Sequence, residues 1–140
     1  MAAEAGYVLD GSALLAMLIG EPGAERVEVC LHQAVISSVN WGEVATKLLQ
    51  KGAGPSSVRR MLGGLHLDIV PWTHELVWDS LDLCALAWTR GLSLGDRACL
   101  ALARAQGRTA LTADAAWPAA VERSRPAIAV ELIREPRRQG

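Results

Sequence analysis

Short apolar segments alternating with helix-forming stretches constrain this chain more than any other feature. Gly6-Tyr7-Val8-Leu9, Ala34-Val35-Ile36-Ser37, Leu67-Asp68-Ile69-Val70, Thr109-Ala110-Leu111 and Ala127-Ile128-Ala129-Val130-Glu131-Leu132 read as strands. Between the first two lie Ser12-Ala13-Leu14-Leu15-Ala16-Met17-Leu18 and a second helical stretch, Ala24 to His32, with Val27 and Leu31 at helical spacing. Ser38 can cap a helix from Val39 to Lys51 that Gly52-Ala53-Gly54-Pro55 stops, and Ser56 or Ser57 can start another that ends at Gly63-Gly64. Val77, Leu81, Cys84 and Trp88 recur at steps of three and four, which predicts one long amphipathic helix from Thr73 to Thr89. A last helix is predicted over Asp96 to Ala105, closed by Gly107. Strands that alternate with helices need right-handed crossovers, so the pattern predicts an α/β fold with a mostly parallel sheet covered on both faces.

At 140 residues, 51% of them hydrophobic, the chain suits one domain with a sizeable core. Residues 1–133 are read as that domain and 134–140 as a flexible basic tail. No run approaches the roughly 20 apolar residues of a membrane span, and the N-terminus has no signal-peptide pattern, so a cytoplasmic protein without membrane contact is expected. Cys30, Cys84 and Cys99 are far apart and sit in apolar helical patterns, which reads as buried thiols rather than a disulfide or zinc framework. The formal net charge of −1 excludes nucleic-acid binding by bulk electrostatics. Any such contact must be local, and the candidates are Lys47 and Lys51, Arg59 and Arg60, the series Arg97, Arg104 and Arg108, and Arg134, Arg137 and Arg138.

Four carboxylates are candidates for chemistry. In an open parallel sheet, ligands sit beyond the carboxyl ends of the strands, where the strand order reverses. Asp10 follows the first strand and Asp114 follows the fourth, so the two converge if those strands are neighbours. Asp96 can join them from a helix start, and Glu43 lies about one turn into the helix after the second strand. Two carboxylates at about 5 Å repel by roughly 3 kcal/mol at an effective dielectric near 20, so convergence requires protonation or a cation. No lysine or histidine is close in sequence to Asp10, Asp96 or Asp114, which points to Mg²⁺ or Mn²⁺. Ordinary roles stay open for each: Glu43 can pair with Lys47, Asp96 can form a capping box with Ser93, Asp114 can cap the helix containing Trp117, and Asp10 can simply end a strand.

The segments Val8-Leu9-Asp10-Gly11-Ser12-Ala13-Leu14-Leu15, Ile36-Ser37-Ser38-Val39-Asn40-Trp41-Gly42-Glu43-Val44, Leu92-Ser93-Leu94-Gly95-Asp96-Arg97-Ala98 and Leu111-Thr112-Ala113-Asp114-Ala115-Ala116-Trp117 closely resemble the motifs of PIN-domain ribonucleases. Within that family the chain is most similar to VapC-type toxins. The resemblance runs in order along nearly the whole chain. It implies a three-layer α/β/α fold, Mg²⁺- or Mn²⁺-dependent cleavage of RNA, a homodimer, and inhibition by a small antitoxin protein. By position it assigns Asp10, Glu43, Asp96 and Asp114 as catalytic and metal-holding residues, with Ser12 and Thr112 as supporting hydroxyls. Either hydroxyl can instead serve only a helix cap or a strand end. Asn40 shares a helical face with Glu43, three residues on, and can orient its carboxylate. Gly11 departs from the pattern, since a small side chain such as alanine is more usual there.

Trp41, Trp72, Trp78, Trp88 and Trp117 are read as core, with Trp41 the one placed to meet a base or an antitoxin side chain. Rival readings are weaker. A dehalogenase-like phosphatase needs a second aspartate where Ser12 stands, and a receiver domain needs a late lysine, whereas lysines stop at Lys51. A PIN-like scaffold without catalysis, or a housekeeping PIN nuclease, remains the alternative to a toxin.

Overall fold

The computed structural model describes residues 6–122 and 127–136. In chain order the elements are β1 (Tyr7–Leu9), α1 (Gly11–Ile19), α2 (Ala24–Cys30) with a 3₁₀ turn (Leu31–Gln33), β2 (Ala34–Ser37), α3 (Ser38–Gln50), α4 (Pro55–Gly63) and β3 (Asp68–Val70). Then come α5 (His74–Asp79), α6 (Leu81–Arg90), α7 (Leu94–Gln106), β4 (Thr109–Thr112), α8 (Trp117–Ala120) and β5 (Val130–Leu132).

The strands form one five-stranded sheet in the order β3-β2-β1-β4-β5, and every pairing is parallel. Residue alternation along each strand feeds two cores. Val8, Val35 and Ala110 face a layer built from Leu83 of α6, Cys99 to Ala103 of α7, and Trp117. Leu9, Ile36 and Leu111 face the opposite layer, which holds Leu14 of α1, Val27 of α2, Val44 and Leu48 of α3, and Val58 and Leu62 of α4. The result is the three-layer α/β/α arrangement. The inner strands β1, β2 and β4 are covered on both faces and are largely apolar, as buried parallel strands must be, whereas the edge strand β3 leaves Asp68 and Ile69 exposed. Truncating a side chain such as Leu14, which has no solvent exposure, should cost about 2–5 kcal/mol.

The chain builds β2 and β3 outward on one side of β1, then returns to place β4 and β5 on the other. That reversal opens a crevice at the carboxyl ends of β1 and β4, which pair with Leu9 opposite Leu111. Helix α7 carries buried residues from Ala98 through Ala103 without interruption, so it is enclosed rather than surface-laid.

Two expectations about the helices are corrected. The predicted helix from Thr73 to Thr89 is two helices, broken at Ser80. Thr73 does cap the first, accepting from Leu76 N–H, but the buried Ser80 hydroxyl donates to Val77 O at 2.9 Å and the chain turns there. A serine that bonds back to its own helix offers the backbone an alternative to continuing, and apolar periodicity does not register it. At α3 the capping serine is Ser37, which accepts from Val39 N–H, while Ser38 Oγ accepts from Trp72 N–H and ties α3 to the segment after β3.

Of the tryptophans read as core, Trp117 is fully buried and Trp72 packs half-buried against the α6/α7 layer. Trp78 is 65% exposed and is not core. The side chain of Trp88 lies outside the described residues, as do Arg137 and Arg138. Arg134, read as the start of a tail, donates to Glu21 and to Pro22 O. Among the described residues, no helix is long and apolar enough to cross a membrane.

Candidate active site

Asp10 ends β1 and stands immediately before α1 in an extended conformation, but its side chain does not cap that helix. Instead Oδ2 accepts from Ser12 Oγ at 2.6 Å and from Thr112 Oγ1 at 2.9 Å. The same two hydroxyls accept backbone N–H groups, Ser12 from Ala113 at 3.0 Å and Thr112 from Asp114 at 3.1 Å. Each hydroxyl has one proton and spends it on Asp10, so the backbone N–H groups fix where that proton points. The start of α1 and the end of β4 are thereby joined through one carboxylate. Asp10 is 6% exposed, and burial pushes its pKa up to about 6, against the opposing pull of the Ser12 and Thr112 hydroxyls and the Gly11 amide. The charge of Asp96 adds to the rise.

Glu43 projects from the second turn of α3 across to α7. Its Oε1 accepts from Asn40 Nδ2 at 3.1 Å, and the same amide group donates to Gly95 O at 3.0 Å. Asn40 is fully buried, and its two donations fix the amide orientation, because the flipped form would set Oδ1 against two acceptors. Its Oδ1 has no partner among the described residues. The carboxylate lies on Gly95 so closely that a Cβ there would stand 2.6 Å from Glu43 Cδ. Gly95 is therefore part of the site, and the sequence reading did not single it out. Its signal was a glycine beside an acid at a helix start. The Glu43 carboxyl is raised by burial and by Asp96, while Asn40 and Lys47 lower it. Among the described residues no salt bridge joins Glu43 to Lys47.

Asp96 occupies the third position of α7 and completes the capping box that its spacing predicts. Ser93 N–H donates to Asp96 Oδ2 at 2.9 Å, and Asp96 N–H donates to Ser93 Oγ at 3.1 Å. The box leaves its carboxylate on the crevice, so capping and lining coexist. Its pKa is raised by burial, with Ser93 opposing and the charge of Asp114 adding to the rise. Asp96 thus feels or is felt by each of the other three acids, which places it at the electrical centre of the group. The field reaches further: the buried Cys99 thiol is pushed up first by burial and then by Asp10, Asp96 and Glu43.

Asp114 is exposed on the turn after β4. Its Oδ1 accepts from Ala116 N–H at 2.9 Å and its carbonyl from Trp117 N–H, so it organises the entry to α8 without being the formal cap.

These four acids line one crevice of about 270 Å³ together with Gly11, Ser12, Leu15, Val44 and Lys47. Trp41 does not line it. It sits half-buried in a separate apolar groove of about 370 Å³ with Ala45 and Leu49 of α3 and Val58, Arg59 and Leu62 of α4.

The donor chemistry fits a hard divalent cation. All four donors are carboxylates, one lysine opposes them at the crevice, and none has a salt-bridge partner among the described residues. Hydrogen bonds to protein engage Oδ2 of Asp10, Oε1 of Glu43, Oδ2 of Asp96 and Oδ1 of Asp114. As the side chains stand, no three histidine, cysteine or acidic groups among the described residues are grouped to hold one ion. The four acids therefore surround the crevice without yet converging on a point.

A sequence model of the PIN domain matches residues 7–122. No curated protein matches the sequence. Among solved structures the chain is similar to a toxin-antitoxin complex from Klebsiella pneumoniae, with a TM-score of 0.62, 22% identity, and coverage of 78% of this chain and 87% of that one. It is also similar to DNA-bound VapBC from Salmonella typhimurium, with a TM-score of 0.69, 16% identity, and coverage of 91% and 98%. VapBC2 from Rickettsia felis, bound to a promoter DNA fragment, gives 0.66, 16%, and coverage of 90% and 97%. At these identities the likeness establishes the fold.

Proposed function

The chain belongs to the PIN-domain family, and from that premise we propose that it is a divalent-metal-dependent endoribonuclease, the toxin of a VapBC-type toxin-antitoxin pair. One observation carries the nuclease reading: four carboxylates from four separate elements line one crevice at the β1/β4 switch point, with no salt bridge to any of them among the described residues. Burial of the Asp10 carboxylate, and in part of Asp96, without a neutralising partner opposes folding. Its persistence here is intelligible if a cation completes the site.

Asp10, Asp96, Asp114 and Glu43 are the residues that would hold Mg²⁺ or Mn²⁺. Bound there, such an ion would lower the pKa of a water and would offset the negative charge of a phosphodiester. The remaining work belongs to the chain. Ser12 and Thr112 hold the Asp10 carboxylate in one orientation, Asn40 and Gly95 hold that of Glu43, and Ser93 holds that of Asp96. Holding the acids in place before substrate arrives removes the reorganisation that would otherwise accompany each turnover. Buried Val44 and half-buried Leu15 supply the apolar part of the crevice lining.

The toxin assignment and an antitoxin partner are supported by the toxin-antitoxin complexes among the similar structures, across 78–91% of this chain, and a homodimer belongs to the same proposal. The test is cleavage of a panel of structured RNAs by antitoxin-free protein in Mg²⁺, Mn²⁺ or EDTA. Cleavage should require metal and disappear in Asp10→Ala and Asp96→Ala. Metal-independent cutting, or full activity in either variant, contradicts the mechanism. Growth arrest on controlled expression, relieved by a co-expressed small protein encoded beside it, separates a toxin from a housekeeping nuclease.

A further inference from the structure

Most of the basic side chains described are committed to the fold. Arg104 makes a bidentate pair with Asp82 at 2.7 and 2.8 Å and also donates to Asp79 O. Arg26 bonds Glu131 and Tyr7, Arg108 donates to Gln33 O, Arg97 to Ser93 O and Cys84 Sγ, and Arg134 to Pro22 O. These bonds remove most of the series that the sequence offered for nucleic-acid contact.

Lys47 and Lys51 differ. Both are exposed, and among the described residues neither makes a salt bridge or a side-chain hydrogen bond. Lys47 lines the acidic crevice and is the one cation among the residues that do. It follows Glu43 by four residues on α3, and Lys51 follows by four more at the end of that helix. Residues four apart share a helical face, and each step advances about 6 Å along the axis. Glu43, Lys47 and Lys51 therefore form a file that runs outward from the acids, at a spacing close to that of successive phosphates along a nucleic-acid strand.

We propose that Lys47 and Lys51 form a phosphate track, which seats the backbone of one RNA strand and leads a phosphodiester into the crevice. The inference rests on the nuclease reading above and adds to it the groups that receive the substrate. The physical need is plain: four acids repel a polyanion, and a chain of net charge −1 offers no bulk attraction to offset this. Two unpaired ammonium groups on the approach supply attraction where the strand must enter. Lysine suits this task as a mobile point charge that meets phosphate oxygens without demanding a fixed bidentate geometry. Contacts to phosphate carry no base information, so the track contributes affinity and register, and leaves specificity to other surfaces.

The test combines fluorescence anisotropy of a short labelled single-stranded RNA in EDTA, across a salt series, with steady-state cleavage in Mn²⁺. Lys47→Gln should reduce the slope of log affinity against log salt by about 0.7, Lys51→Gln by a similar amount, and the double variant by about twice that. KM should rise with little change in kcat, and Lys47→Arg should restore both measurements. Mn²⁺ binding, followed by thermal shift, should not weaken in Lys47→Gln, which separates loss of a phosphate contact from damage to the acids. Arg60→Gln, on the exposed face of α4, should leave the salt slope unchanged. Normal RNA cleavage with a salt slope and KM unmoved by Lys47→Gln overturns the track alone. Wild-type protein that neither binds nor cuts RNA overturns the track together with the reading beneath it.

Discussion

Asp10 beyond β1 and Asp114 beyond β4 face one crevice from the ends of neighbouring strands, yet burial separates them. Asp10 is 6% exposed, takes two hydroxyls on one oxygen, and has its pKa pushed up to about 6. Asp114 is exposed and spends one oxygen on a local turn. The cost of the site therefore lies at the end of β1. Folding must bury the β1 carboxylate, whereas the β4 carboxylate stays in water until a ligand arrives. The two ends should therefore respond to mutation in opposite balance, Asp10 through stability as well as activity and Asp114 through activity alone.

The largest effect follows from replacing each in turn with asparagine. Asp10→Asn should abolish cleavage while raising the metal-free unfolding free energy by up to a few kcal/mol, because the amide removes a buried charge at similar volume. Asp114→Asn should also cripple cleavage but move stability by no more than about 0.5 kcal/mol, as surface substitutions do. Denaturant unfolding in EDTA checks both, and equal stability changes would erase the contrast.

Acid sharpens it next. The Asp10 pKa rises from the ordinary 3.8 in the unfolded chain to about 6 in the folded one, so the folded state binds the extra proton between those values. Its penalty on stability is absent below about pH 4, grows as pH rises through the window, and is complete above about pH 6, where linkage puts it at roughly 3 kcal/mol. Metal-free protein should accordingly gain stability from this group between pH 7 and 5, and Asp10→Asn should lose that gain. Mn²⁺ affinity should weaken over the same interval, since the proton and the cation compete for Asp10.

Gly95→Ala tests the neighbouring edge, where Glu43 crosses to α7. A Cβ 2.6 Å from Glu43 Cδ must displace the carboxylate, at about 1–3 kcal/mol if the backbone resists, with loss of the Asn40 hydrogen bond and reduced cleavage. Gly11→Ala has the smallest expected effect. A Cβ at Gly11 meets Val44, Asn40 O and Glu43 at 3.6–3.7 Å, ordinary contact distances, and the residue opens α1. Alanine there should add about 0.4–1 kcal/mol by restricting the unfolded chain, with activity retained. Thermal melting and cleavage rates separate these two glycines.

The scaffold is legible in the sequence because its inner strands are buried on both faces and punctuated by helix signals, and Ser93 with Asp96 announces its capping box. The four acids are legible as strand-end and helix residues from the sequence pattern itself, with Glu43 the least secure because Lys47 offers it an ordinary partner. The structure withholds that salt bridge and gives Glu43 to Asn40 and Gly95. Three features escaped. The break at Ser80 depends on one hydroxyl turning back to Val77 O, which leaves the apolar period intact. Trp78 is exposed beside half-buried Leu76 and Val77, on a helix too short for its apolar face to be read from spacing. Gly95 matters through a contact from another helix, and no local pattern reports such an approach.

Thermal unfolding at pH 7.5 with and without millimolar Mn²⁺, for wild type and Asp96→Asn, measures most directly whether these acids are one metal site. An ion at a hundred times its dissociation constant stabilises a folded protein by about 2.7 kcal/mol. Wild type should therefore melt several degrees higher with Mn²⁺, and Asp96→Asn, which removes the acid coupled to the other three, should lose most of that rise. No rise in the wild type, or the same rise in the variant, contradicts a shared site.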